Sequence, residues 1–530
     1  MFKTRIIQTL LACLAAGASA KTWYVSPGGG GTKDGSGKDN ALAGPDAGIA
    51  KAVAGDTVLL IAGIYALSAT VKLTASGTAS ARINLFAEDA ATKRAYFDFS
   101  AQSAGSANRG MIITGDFWHI RGIDVYKAGD NGILFQGGSN NILEFANVHE
   151  NQDAGVQLAA GAADNLILNT DSWWNYDAAT LGGNADGFAP KLDVGSGNTF
   201  RGCRSWGNSD DGWDGYLRNG TTAYSASTIL EDCWTFDNGY YHGDPKSPLN
   251  SRADMNGNGF KLGGGDKAGS ISNGYGTQHH FVLRRCLAFD NYANGFDQNN
   301  NRGSMTLYNC TGMDNGTDFQ INGMISSSPT PDNGIAPGNA VIVKNCVSTG
   351  TGSIKLTAAI EGHNSWTSGF GVSSADFLSV DSAGLRAARK PDGSLPDIAF
   401  LHLRPGSKLV NAGAALPGIV FNGSAPDLGA FETSASVGSE RDIRVFRSRL
   451  RVVADSAGIV SVSGDLQTTA HVSVTIYGAA GAIQRTFDLG LWLPGEALRL
   501  LDLSGLAHGV HVVRARSDVG LEDSRRILVP

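Results

Sequence analysis

Three short stretches of this chain superpose on a shared glycine: Asp186-Gly187-Phe188, Asp211-Gly212-Trp213 and Asn258-Gly259-Phe260. With the glycines aligned, Asp214 falls in the column of Lys261, and Asp210 stands one step before Asp211. If the stretches stack, Asp186, Asp210, Asp211 and Asp214 crowd one spot, with Lys261 one rung away. Left alone, such carboxylates repel and raise one another's pKa. A divalent cation resolves the crowding, and calcium takes roughly six to eight oxygen ligands of this kind. A lysine beside that cation suits the role of a proton-abstracting base. Together these parts suit elimination chemistry on an acidic polysaccharide. Taken singly, Asp-Gly and Asn-Gly are ordinary turn pairs, and Lys261 reads equally as a salt-bridge partner of Asp214. The density of Ser209-Asp210-Asp211-Gly212-Trp213-Asp214 beside an aligned lysine is what points to a site.

Stacking demands a repeating fold, and the chain repeats. Apolar strands such as Asn165-Leu166-Ile167-Leu168 and Phe281-Val282-Leu283-Arg284 are followed by a polar turn and then a glycine with an apolar neighbour. Those glycines are 132, 155, 187, 212, 259 and 295, at spacings of 23, 32, 25, 47 and 36. The short spacings match one coil of a parallel β-helix, and the long ones match coils with inserted loops. Consecutive coils lie about 4.8 Å apart, like neighbouring strands, so equal offsets stack. Asparagines 208, 238, 291, 294, 315 and 345 fall at turns, where they tolerate left-handed backbone and can ladder. Five cysteines, Cys203, Cys233, Cys286, Cys310 and Cys346, recur at one register. They read as a stack of small buried side chains, not as a disulfide framework or a zinc site.

Residues 21 to about 115 read as earlier coils or a cap, and Asp392–Pro396 with Ala425–Glu432 as a segment closing over the last coils. After a small, polar stretch, residues 441–530 alternate apolar and polar in short strands and read as a small antiparallel β-sandwich. The fold class is therefore all-β, a parallel β-helix followed by a small antiparallel β-sandwich. The domain plan is a signal peptide at 1–20, a β-helix at 21–434, a linker at 435–440 and a C-terminal domain at 441–530.

Bulk properties narrow the partners. Net charge is −7 over 530 residues, which leaves no basic footprint for nucleic acid. Lys3 and Arg5, the apolar run Ile6–Ala16 and Ala18-Ser19-Ala20 read as a secretory signal, and no other segment has the length to span a bilayer. Removing the signal takes the charge from −7 to −9. Lys191, Arg218, Lys267 and Arg302 are candidate cations for carboxylates of a bound substrate, and each reads equally as a solvated surface charge.

The motifs Asn184–Leu192, Gly202–Asp214, Asn258–Gly264 and Asn294–Asn300 resemble polysaccharide lyase family 9, pectate lyases of right-handed parallel β-helix fold. The resemblance covers roughly residues 21–434. It implies that Asp186, Asp210, Asp211 and Asp214 hold Ca2+ and that Lys261 is the catalytic base of a β-elimination on 1,4-linked galacturonan. The tail, through Val472–Gly478 and Leu503–Arg514, resembles the sorting domain of type IX secretion substrates. That resemblance implies export by dedicated secretion machinery to the exterior or the cell surface, and a monomer is expected. Two rival readings remain. A polygalacturonase-type hydrolase needs an acid and a base carboxylate, but the Gly-His-Gly and Arg-Ile-Lys motifs of those enzymes do not occur. A non-enzymatic β-helical adhesin or glycan-binding protein has no need of Lys261 beside four carboxylates.

Overall fold

The structure, a computed structural model, describes residues 20–218, 224–265, 276–321, 334–336, 338–357, 359–433 and, with short gaps, 449–529. Nearly all of the expected signal segment, the linker at 435–440 and Lys267 lie outside the described residues. Between Thr22 and Gly362 the chain winds through three parallel sheets of 13, 10 and 10 strands as a right-handed β-helix. One coil is typical: Leu166–Leu168 joins the first sheet, Asp171–Trp173 the second and Phe188–Pro190 the third.

A column of buried aromatic rings explains the rung spacing. Phe188, Trp213, Phe260, Phe296 and Phe319 are buried inside the helix, and successive ring centroids lie 4.6, 4.9, 5.1 and 4.8 Å apart. Each ring fills its own rung, so the apolar stack and the backbone ladder share one period. The five cysteines are all free and buried, at the corner between the first and second sheets.

The corner between the second and third sheets is held by polar contacts. Asn151, Asn175, Asn208, Asn238, Asn291 and Asn315 form a buried ladder in which each Nδ2 donates to the next Oδ1, at 2.8–3.0 Å. Two of the turn asparagines belong elsewhere. Asn294 bonds Asn258 in the aspartate column, and Asn345 bonds Asn309 on another corner.

A short helix, Pro45–Ile49, packs against the first coil, where a Cβ on Gly48 would lie 2.6 Å from Val25. The closing segment reaches further than the last coils. Gly393 lies against Phe145, Arg204 donates to Leu385 and Ala387 carbonyls, and Ala430 N donates to Thr311 Oγ1. The segment therefore covers much of the second sheet, burying Trp206, Trp234 and Phe236 against Phe377, Phe400 and Leu428. Residues 449–529 form separate three- and four-stranded antiparallel sheets around a core that includes Val462, Val474 and Val513.

Asn208 spends all its polar capacity inside the ladder, donating to Ser205 and Asn238 and accepting from Asn175. Asn208→Leu is expected to cost on the order of 3 kcal/mol, because it strands buried partners. Chemical denaturation followed by circular dichroism measures it.

Candidate active site

The register places the repeat residues level. Phe188 pairs with Trp213, Trp213 with Phe260, Asp214 with Lys261 and Lys261 with Asp297. The repeat glycines have a packing reason. A Cβ on Gly187 would lie 2.0 Å from Ser205 Oγ, and one on Gly212 would lie 2.0 Å from Thr235 Oγ1. Each missing side chain thus admits a hydroxyl from the second sheet of the next coil. The asparagine ladder fixes those hydroxyls, since Asn208 Nδ2 donates to Ser205 and Asn238 Nδ2 to Thr235. The aspartate before each glycine is locked into place by this interlock.

Asp186, Asp211 and Asp214 are all buried, and each offers an oxygen within 4.8 Å of the others. Asp186 Oδ1 accepts from Asp211 N at 3.2 Å. Asp211 Oδ1 accepts from Asn258 N and Nδ2, both at 2.8 Å. Asp214 Oδ1 accepts from Tyr216 N at 3.0 Å. Lys261 Nζ lies 3.0 Å from Asp211 Oδ2 and 3.2 Å from Asp214 Oδ1. The first is an ion pair by distance only; no hydrogen bond is aimed at Asp211 Oδ2.

Lys191 is not a surface cation along a groove. It is buried in the cluster, donating to Asp186 Oδ2 at 2.6 Å and lying 3.4 Å from Asp214 Oδ2. Asp214 therefore sits between two ammonium groups. Asp210 is close by, but its oxygens accept from Asn184 N and Asn256 N, both at 2.8 Å. It ties the aspartate corner to the loop of the next coil. Arg218 is exposed, whereas Arg302 is buried, which removes its reading as a solvated charge.

Burial drives the electrostatics. Desolvation raises Asp186 well above the carboxylate range; Lys191 opposes this and the neighbouring aspartates add to it. Burial likewise pushes Asp211 up to about 7, against the pull of Lys261. Burial also acts to raise Asp214, but Lys261, Lys191 and the Tyr216 amide outweigh it and hold it low. For Lys261, burial favours the neutral amine, yet Asp211 and Asp214 raise it well above the ordinary lysine value. The donor set is all oxygen, hard and acidic, with one carboxylate oxygen lacking a donor. It fits a hard divalent cation better than a soft or imidazole-seeking one.

His279 is a supporting residue that spacing does not reveal. Its buried ring contacts Gly215 O at 2.8 Å and Thr228 Oγ1 at 2.9 Å. The carbonyl can only accept, so Nδ1 donates to it and Nε2 accepts from Thr228. The ring thereby pins the turn directly after Asp214.

Residues 23–334 match the family described as "Pel9A-like, right handed beta helix region". Pectate lyase L of Dickeya chrysanthemi is 35% identical over 428 residues, which span 79% of this chain and 92% of that relative. The crystal structure of pectate lyase Pel9A superposes with a TM-score of 0.68 and 33% identity, over 79% of this chain and 98% of that one. A rhamnogalacturonan lyase superposes with a TM-score of 0.63 and 28% identity, over 74% of this chain and 98% of that one.

Gly212→Ala tests the interlock. Its Cβ would meet Thr235 Oγ1 at 2.0 Å and Gly259 O at 2.6 Å. A loss of about 2 kcal/mol is expected from overpacking. Gly28→Ala, with nothing within 4 Å of the new Cβ, is expected to stay within about 0.5 kcal/mol of wild type. Thermal melts of both variants check this.

Proposed function

The chain belongs to the Pel9A-like right-handed β-helix family of pectate lyases and is a polysaccharide lyase, and from that premise we propose that it cleaves 1,4-linked polygalacturonate by calcium-dependent β-elimination with Lys261 as the base. The observation that carries this reading is the buried group of Asp186, Asp211 and Asp214 with Lys261 Nζ against two of them. A hydrolase needs acid and base carboxyls held at least about 5 Å apart across the bond. Here the carboxylates converge within 4.8 Å and are paired with lysines, which favours cation binding over an acid–base pair.

Calcium held by Asp186, Asp211 and Asp214, with Asp210 beside them, would neutralise the C6 carboxylate of a uronate and make its C5 proton more acidic. Lys261 takes that proton from C5. The freed electron pair forms the C4=C5 double bond as the C4 oxygen departs, leaving an unsaturated uronate at the new non-reducing end. Lys261 must be neutral to act. Its burial favours that form, and Asp211 and Asp214 lose their hold on its proton once their charge is shared with a cation. Activity should therefore climb as pH rises. Of the candidate groove cations among the described residues, Arg218 is exposed, while Lys191 and Arg302 are about as buried as Lys261. The likeness to the rhamnogalacturonan lyase supports a second substrate reading, a backbone in which galacturonate alternates with another sugar. Parallel assays on the two polymers separate them.

Secretion is part of the same proposal. The amino-terminal signal pattern and the tail's likeness to sorting domains support export to the cell exterior, with the C-terminal sheets serving export and not catalysis.

Two experiments test this. Lys261→Ala and Lys261→Arg should lower the rate of unsaturated product formation, read by ultraviolet absorbance, by a factor on the order of 10² or more. Arginine should not rescue, because it stays protonated. A chelator should abolish wild-type turnover and added calcium restore it; turnover that survives either treatment sinks the mechanism. Separately, a chain ending after Glu432 keeps Phe431, whose ring packs on Trp234 at 5.9 Å and on His402 at 4.2 Å. It is expected to match the full mature chain in specific activity while failing to be exported from a native-type host.

A further inference from the structure

The residue that leaves each second-sheet strand is left-handed: Lys127, Glu150, Trp174, Gly207, Asp237 and Asp290 have φ between 46° and 61°. Polar residues and glycine adopt that conformation readily; a tryptophan rarely does. Trp174 is held there by its surroundings. Gly207 on the next coil leaves open a space that a Cβ would fill 2.8 Å from the Trp174 ring. His242, on a loop from a later coil, stacks on Trp174 with ring centroids 5.3 Å apart and planes 18° apart. Tyr241 stacks on His242 at 4.0 Å, and Tyr176 meets Tyr241 edge-on at 4.8 Å. The Trp174 indole nitrogen is buried with no hydrogen-bond partner among the described residues.

These rings line a cavity of about 380 Å³ whose wall also carries Lys127 and Gln152. The wall draws on four successive coils, from Gln102 to Trp174, a run of about 14 Å along the helix axis at the rung spacing. It is linked to the carboxylate cluster through shared coils. Trp174 and Asp186 share one coil, and Gln152 precedes Asp153, whose carboxyl interacts with the same Lys191 that pairs with Asp186.

We propose that this cavity is a distal subsite for the polysaccharide, seating a pyranose ring against Trp174, His242 and Tyr241 while Lys127 pairs with a uronate carboxylate. The proposal rests on the lyase reading above for the identity of the chain. A pyranose presents a C–H face that lies on an aromatic ring and hydroxyls that need polar partners. Tryptophan and tyrosine offer an apolar body with a polar edge, and a largely preformed cavity with a few polar groups is the usual form of a ligand site. Lys127 is exposed, with its ammonium 5.8 Å from the centroid of the Tyr126 ring. Glu150, the acidic group in the wall, is engaged by His149 Nδ1 at 2.9 Å.

The test compares Trp174→Ala and Lys127→Ala with wild type on long polygalacturonate and on trigalacturonate. The ratio of kcat/KM for polymer over trimer is expected to fall on the order of tenfold for Trp174→Ala, and severalfold for Lys127→Ala, through KM. An unchanged ratio in both variants overturns the subsite. If Trp174→Ala does not fold, Trp174→Phe and the exposed Lys127→Ala decide the matter. Calorimetric titration with hexagalacturonate separates this proposal from its premise. A wild type that makes no unsaturated product but binds more tightly than Lys127→Ala defeats the lyase reading and keeps the subsite. Equal binding by wild type and both variants defeats the subsite alone.

Discussion

The corner between the second and third sheets depends on an absence: Gly155, Gly187 and Gly212 each lack the one carbon that would collide with a hydroxyl from the next coil. Because Ser205 and Thr235 enter those spaces at what would be 2.0 Å from a Cβ, successive coils cannot slide past one another. The asparagine ladder then saturates the hydroxyls and the buried backbone together. A one-residue slip would turn every inward ring outward and every turn aspartate inward. The fold's register and the convergence of the carboxylates are thus consequences of one packing constraint.

That constraint carries an electrostatic load. Burying three carboxylates so close together is costly, and each lost hydration shell costs several kcal/mol even after relaxation. Two lysines offset part of it, and Asp214 gains most because it lies between both. Burial still raises Asp186 well above the carboxylate range and Asp211 to about 7. The corner is therefore poised toward additional positive charge. The same proximity couples Lys261 to the carboxylates, so whatever neutralises them also sets the protonation of the amine. Binding and proton transfer are one electrostatic problem here.

Much of this was legible in the residues. The glycine column predicted which positions share a rung, and Asp214 beside Lys261 is the observed pairing. The buried cysteines and the parallel β-helix also followed from period and composition. What has no period was not legible. Lys191 lies outside the repeat column. Its long side chain reaches from the position five beyond Asp186 back to that carboxylate. Arg302 is buried. Asp210 precedes the column by one step, and its oxygens accept from amides of two other loops.

The sequence by itself determined what is periodic: the solenoid, its register, and the identity of the carboxylates and the amine that share adjacent rungs. A period of one coil is enough for that, since stacking at about 4.8 Å converts equal offsets into neighbours. The tertiary structure decided what has no period. It set how far Lys191 reaches, how the closing segment reaches from Phe145 to Thr311, and how the loop from Gly239 to Asn256 brings Asn256 to Asp210 and His242 to Trp174. Inserted loops interrupt the repeat, and their contacts depend on reach and burial in three dimensions, which no offset along the chain encodes.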